Sequence, residues 1–280
     1  MKIAGVPEPF NLPLTLAIDD GEFADIGVEY VDYPGGTGAM TAALAAADID
    51  VAILLTEGGV YDIARGSSNR LVKVFVDTPL VWGIHVAAGS RIETPGDTEA
   101  ARVAISRHGS GSHLIAIVDA IERGFDTHAM SFVVVDNMAG ARKALAAGDA
   151  DIFLWEKHMT QPLVDAGEFR RIGERAVPWP AFCVSVRQAV AEQHAAALRR
   201  VFEATWHASN ALLARADRVS LVSRRYHIAE PEAERWLASV RWHAGFDRPD
   251  EALGRVLRAL VVQGSLADID VDLDQLWSPV

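Results

Sequence analysis

Residues 44–53 read Leu-Ala-Ala-Ala-Asp-Ile-Asp-Val-Ala-Ile, and residues 145–154, 101 positions later, read Leu-Ala-Ala-Gly-Asp-Ala-Asp-Ile-Phe-Leu. In each stretch a helix ends in Leu-Ala-Ala, a small residue turns the corner, and two Asp accompany the turn. The apolar run that follows has the length and composition of a buried parallel strand. An echo at this spacing predicts two copies of one α/β unit, hence two lobes with a cleft between them.

The rest of the chain fits that scheme. Lys2–Val6 reads as a strand, and Phe10-Asn11-Leu12-Pro13 leads into a helix that ends near Asp20. Val28–Tyr33 alternates like a strand, and the Pro34-Gly35-Gly36-Thr37-Gly38 loop opens the helix of the first repeat. Strand Val51–Leu55 is followed by Thr56-Glu57-Gly58-Gly59 and then a helix to Arg65. Strands at 72–77 and 81–88 are separated by Thr78-Pro79. Strand Arg102–Ser106, a Gly/Ser-rich turn at 107–113, a helix to about Arg123, strand Ser131–Val135, helix Ala139–Ala147, strand Ile152–Trp155 and a helix near 157–166 follow. Alternation at these lengths predicts βαβ crossovers and mostly parallel sheets flanked by helices. From Gln188 the chain turns helical: one long segment to Arg215, then helices opened near Pro231 and Pro249, the last of them ended by Gly264. This helical C-terminal third is expected to pack on one lobe and to supply no chemistry.

Half of the 280 residues are hydrophobic and 23% are charged, enough apolar material for a large core. The net charge is −12 with no Lys/Arg run, which argues against nucleic acid and against an anionic membrane surface as partners. No run of 18 apolar residues predicts a transmembrane segment. Met1 leads directly into a strand with no signal-peptide core, so the chain as it stands is expected in the cytoplasm; a removed leader would place it in the periplasm or at the cell surface. Cys183 is the single cysteine, which excludes an intrachain disulfide and a multi-cysteine metal site. It lies in an apolar strand, Ala-Phe-Cys-Val-Ser-Val, and reads as a buried, inert thiol.

In an open α/β sheet, ligands sit outside the carboxyl ends of the strands. That rule selects Phe10 and Asn11 after the first strand, Gly35, Gly36 and Thr37 after the second, and Thr56 and Glu57 after the third. In the other half it selects the Ser106–His113 loop (Ser106, His108, Ser110, Gly111 and Ser112), then Asn137 after its neighbour, then Trp155, Glu156 and His158. Two of these loops, Gly35–Gly38 and Gly109–Ser112, set small residues at a helix N-terminus, where free N–H groups and the helix dipole suit an oxyanion; a plain Ser/Thr cap is the alternative. Neither ends in the Lys-Ser/Thr of a phosphate-binding loop. His108 reads as a ligand donor or a solvated loop histidine, and neither it nor His113 has metal-ligand spacing, so no metal or other cofactor is expected. Glu57 reads as a partner for a ligand amine, as a base, or as a first-turn helix acid. Phe10, Trp82, Trp155 and Trp179 are the aromatic candidates for the walls of such a site, while Trp206, Trp236, Trp242 and Trp277 are read as core.

The opening GVPEPFNLPLTLAIDDGEF, the loop YPGGTGAM, the echo ALAAADIDVAILLTEG and the segment ARVAISRHGSGSHLIAIVDAIERG together resemble the type II periplasmic-binding-protein superfamily. The similarity is to the branch of nitrate-, sulfonate- and taurine-binding proteins and thiamine-pyrimidine-related proteins. The resemblance implies two α/β lobes joined by two crossovers, near Asp77–Val81 and Val177–Phe182, and closure by hinge motion on a ligand at the interface. The first lobe would be 1–77 with 178–280, the second 78–177. It further implies a solute receptor for a small organic anion, or a heterocycle carrying one, with an ABC transporter permease as partner. The alternative is an enzyme on the same fold acting on a carboxylated substrate, with Glu57, His108 or His158 as acid or base. The sulfinate-cleaving relatives of this fold depend on a cysteine near the N-terminus, and this chain has none there.

Overall fold

The computed structural model describes residues 1–267 and 271–280. The chain divides into two compact units, Met1–Pro79 with Pro178–Val280 and Leu80–Val177.

The first unit is built from β1 (Lys2–Gly5), α1 (Leu12–Asp19), β2 (Glu29–Asp32), α2 (Gly36–Ala45), β3 (Val51–Leu55), α3 (Thr56–Ala64) and β4 (Asn69–Val76). The second contains β5 (Val81–Ala87), β6 (Arg102–Ile105), α4 (Gly111–Arg123), β7 (Ser131–Val134), α5 (Met138–Ala147), β8 (Ile152–Glu156), α6 (Lys157–Asp165) and β9 (Phe169–Ala176). The chain then returns to the first unit as β10 (Phe182–Arg187), α7 (Gln188–Ala214), α8 (Arg218–Tyr226), α9 (Glu230–Ser239), α10 (Asp250–Val262) and α11 (Leu273–Leu276).

Each unit holds one five-stranded sheet, ordered β2-β1-β3-β10-β4 in the first and β7-β6-β8-β5-β9 in the second. The two orders superimpose element for element. The sheets are mixed: β1 pairs parallel with β2 and β3, and β6 with β7 and β8, but β10 and β5 run antiparallel to both their neighbours. β5 and β10 are the first strands laid down after each crossing between units. Each therefore starts beside the carboxyl end of the central strand and runs backward along it.

The repeated Asp-x-Asp now has a physical role. Asp50 accepts the backbone N–H of Lys2 at 2.9 Å, and Asp151 accepts that of Arg102 at 2.8 Å. In both units the second Asp ties the start of the central strand to the start of its neighbour. Guanidinium groups back both carboxylates; the Lys2 N–H, with Arg187, holds Asp50 below the usual aspartate range, and Arg102, through its guanidinium and its N–H, does the same for Asp151. The corner residue is left-handed in both copies, Ala47 at φ 60° and Gly148 at φ 72°.

The helical third packs on the first sheet, with Leu198, Val201 and Phe202 of α7 buried. The long segment expected from Gln188 is interrupted at His194, which has non-helical dihedrals. Lys73 of β4 is buried and fastens the segment after α9. Its ammonium donates to the carbonyls of His243 (2.7 Å), Ala244 (3.1 Å) and Gly245 (2.5 Å), and sits 4.5 Å from the Phe246 ring centre. Burial lowers its pKa to about 8. Trp236, Trp242 and Trp277 are core, as expected; Trp206 is half-buried on α7. No helix among the described residues is long and apolar enough to cross a membrane.

Candidate functional site

In the first unit, α3 begins at Thr56 directly after β3, so Thr56-Glu57-Gly58-Gly59 is the first turn of a helix and Glu57 is a first-turn helix acid, one of the readings its place in the sequence allows. The two glycines permit this. A Cβ on Gly58 would run into the Thr37 side chain, and one on Gly59 would lie 2.8 Å from Leu54 and 2.9 Å from Leu71. The Thr56 hydroxyl donates to the Pro180 carbonyl at 2.6 Å and lies 3.3 Å from the Cys183 sulfur. Burial pushes the Cys183 thiol up to about 12, as suits an inert residue.

Glu57 is 4% exposed. Its Oε2 accepts the indole N–H of Trp179 at 2.9 Å, while Oε1 has no hydrogen-bond partner among the described residues. Desolvation raises its pKa to about 7, against its own backbone N–H and the Trp179 indole, both of which favour the carboxylate. Trp179 is itself buried.

Phe10 and Asn11 lie in a short 3-10 turn, Pro9–Asn11, beyond the end of β1, the strand beside β3. The Phe10 ring packs 4.8 Å from Phe182 and 5.4 Å from Trp236. The Asn11 amide donates to the Val6 carbonyl at 2.7 Å, and its buried Oδ1 has no partner among the described residues. Glu8, in the same turn, is raised by burial to about 7. Gly35 and Gly36 start α2, with Gly36 at φ 67°. The Thr37 hydroxyl accepts the Leu55 N–H at 3.3 Å, so it joins α2 to the end of β3. This unit therefore gathers Phe10, Asn11, Thr56, Glu57 and Trp179 around the ends of β1, β3 and β10, with Thr37 as a brace.

The second unit carries two groups of candidates. The first is a hydroxyl cluster: Ser112 Oγ accepts the Ser106 N–H at 3.0 Å and lies 3.0 Å from Ser110 Oγ, which caps α4 by accepting the His113 N–H at 3.4 Å. Gly111 is the first residue of α4. His113 Nδ1 accepts the Gly109 N–H at 3.1 Å, which puts the ring proton on Nε2. Burial, reinforced by His108, lowers the His113 pKa to about 4, so the ring is neutral. His113 packs 4.5 Å from Phe132 and 5.3 Å from the exposed His108. His113, not His108, is thus the buried histidine of this loop, and its place on the inward face of α4 is the helical-period signal that would have selected it. In the second group, Trp82 pairs in register with Glu156, lies 6.2 Å from Trp155, and has a buried indole N–H with no partner among the described residues. Trp155 stacks on Phe153, and Glu156 caps α6 by accepting the Met159 N–H at 2.7 Å. His158 is buried in the first turn of α6. Asn137 stands apart: it is exposed and caps α5 through the Gly140 N–H at 3.1 Å. Among the described residues no three His, Cys, Asp or Glu side chains gather as a metal site.

Paired mixed sheets of this order with a helical C-terminal region are the fold of the type II periplasmic binding proteins, and comparison with known proteins agrees. Residues 82–175 match the family model described as Ca3427-like PBP. The solved structure of the conserved Candida albicans CA3427 gene product, described as having the generic periplasmic-binding-protein fold, is 23% identical, with a TM-score of 0.88 over 96% of this chain and 92% of that one. The alkanesulfonate-binding protein SsuA from Xanthomonas axonopodis pv. citri, bound to MOPS, is 18% identical, with a TM-score of 0.83 over 99% and 97%. The periplasmic aliphatic sulphonate binding protein SsuA from Escherichia coli is 19% identical, with a TM-score of 0.79 over 100% and 92%. No curated protein sequence matches the chain.

Proposed function

We propose that the protein is a solute-binding protein, which captures a small organic anion, or a heterocycle carrying one, between its two lobes by hinge closure and without covalent chemistry. The observation that carries this reading is a set of buried side-chain atoms without partners among the described residues: Glu57 Oε1 and Asn11 Oδ1 beyond the carboxyl ends of β3 and β1 in one unit, and the Trp82 indole N–H beside the carboxyl end of β8 in the other. Buried polar groups are nearly always satisfied, and each exception needs an explanation. A ligand that meets these atoms supplies one. The solved neighbours named for sulfonate binding make alkanesulfonates the first class to try. Used for uptake, the protein would deliver its ligand to an ABC transporter permease.

Thermal melting with alkanesulfonates, short carboxylates and pyrimidines tests the reading, because a ligand that binds only the folded state raises the melting temperature by mass action. A saturable rise for one class is expected. If no class raises the melting temperature, the reading fails. If a stabilising compound is chemically converted during incubation, the receptor reading gives way to an enzyme using Glu57, His108 or His158 as acid or base.

A further inference from the structure

We propose that the first unit selects ligands by a hydrogen-bond donor, an N–H on an amine or an aminoheterocycle, which it receives on Oε1 of Glu57 with Asn11 Oδ1 as a second acceptor. The inference rests on the solute-binding reading above and names the chemistry of one end of the ligand.

Three observations carry it. Glu57 is fixed on one side only: the Trp179 indole holds Oε2, which sets the plane of the carboxyl group and leaves Oε1 without a partner. Asn11 repeats the pattern, since its NH2 donates to the Val6 carbonyl and its Oδ1 has no partner among the described residues. The two residues follow β1 and β3, which are hydrogen-bonded neighbours, so both oxygens belong to the same edge of one sheet. Glu57 and Asn11 each leave an acceptor there, while the Trp236 indole N–H, which also has no partner among the described residues, belongs to a ring packed against Phe10. None of the ion pairs found among the described residues brings Lys or Arg to Glu57. A ligand group without a donor would bury these oxygens unpaired, which weakens binding about tenfold or more. The raised pKa of Glu57 fits a group that shares a proton with its ligand and has no resident cation.

Matched pairs test this: taurine against propane-1-sulfonate, β-alanine against butyrate, and 4-aminopyrimidine against 4-methylpyrimidine. Within each pair the N–H group is replaced by a methyl group of similar size. Calorimetric titration of the full chain should show the N–H member of the binding pair about tenfold tighter or more. In Glu57→Gln the Trp179 N–H keeps the amide oxygen, which turns the amide NH2 to the former place of Oε1 and makes that acceptor a donor. The variant should lose that preference, so that the two members of the pair bind with closely similar affinity. Equal affinities within the pair for the wild type, a measurement that does not depend on the variant, would overturn the inference and leave the solute-binding reading standing. An unchanged ratio in Glu57→Gln would also overturn it. If no member of any pair binds, the inference falls together with the reading on which it rests.

Discussion

Replacing Glu57 by glutamine should alter how stability depends on pH more than it alters stability itself. The carboxyl group titrates at about 7 in the folded chain against a normal value of 4.5. Below pH 4.5 both folded and unfolded chains carry the proton and burial imposes no charge penalty. Between 4.5 and about 7 the folded chain keeps a proton that the unfolded chain has lost, so stability falls as pH rises. Above 7 the penalty is complete. At about 1.4 kcal/mol per pKa unit, the rise corresponds to about 3 kcal/mol, and the side chain is too deeply buried for solvent screening to reduce it much. Glutamine cannot titrate, so the stability of Glu57→Gln minus that of the wild type should climb by about 3 kcal/mol from pH 4.5 to 7.5 and then level off. The difference isolates this one residue. Glu8, raised to about 7, and His85 and His113, lowered to about 4, contribute equally to both proteins. Cys183 feels the Glu57 charge but titrates near 12, outside the window. Urea unfolding of both proteins at half-unit pH steps gives the curve. A difference constant within about 0.5 kcal/mol across that range, a value typical of surface substitutions, would refute the buried, unpaired carboxyl described above.

Three further substitutions follow from the packing. Ala47→Gly should stabilise the protein by about 0.5–1 kcal/mol, because Ala47 holds a φ of 60° that its counterpart Gly148 adopts without strain; an unchanged or lower melting temperature would contradict this. Lys73→Met should cost about 3 kcal/mol or more, since three carbonyls lose their shared donor, and chemical denaturation would show it as a lower midpoint. Ser110→Ala should cost about 1 kcal/mol through loss of the α4 cap, and on the proposed reading it also weakens ligand binding in titration; an unchanged affinity would remove Ser110 from the site.

The duplicated α/β unit was legible because its signature is local. An Asp at a strand start, reaching one neighbouring N–H, leaves the same trace wherever the unit recurs. Strand direction left no such trace: the apolar run 182–186 reports burial on both faces and says nothing of which way β10 lies beside β3. The need for glycine at 58 and 59 is not visible in the sequence, which cannot show Thr37, Leu54 and Leu71 standing where side chains would go. Glu57 and Trp179 are each candidates by their place in the sequence, but their bond joins residues 122 positions apart and only the folded chain reveals it. Candidates also diverge by environment: Asn137 proves to be an exposed cap, while Trp82 keeps a buried indole N–H without a partner among the described residues.

The placement of β10 has a consequence for how the chain assembles during synthesis. All five strands of the second sheet lie within one continuous segment, Leu80–Val177, so that sheet can close as soon as β9 has been made. The first sheet cannot. Among the described strands β4 pairs only with β10, and its further bridges, to Trp242 and Trp277, come from still later in the chain; β10 emerges after the whole intervening unit, so until then β3 and β4 both wait with open edges. Such long-range pairing is slow. The middle of the chain therefore folds ahead of its beginning, and the N-terminal strands carry the exposure to mispairing until the returning strand arrives between them.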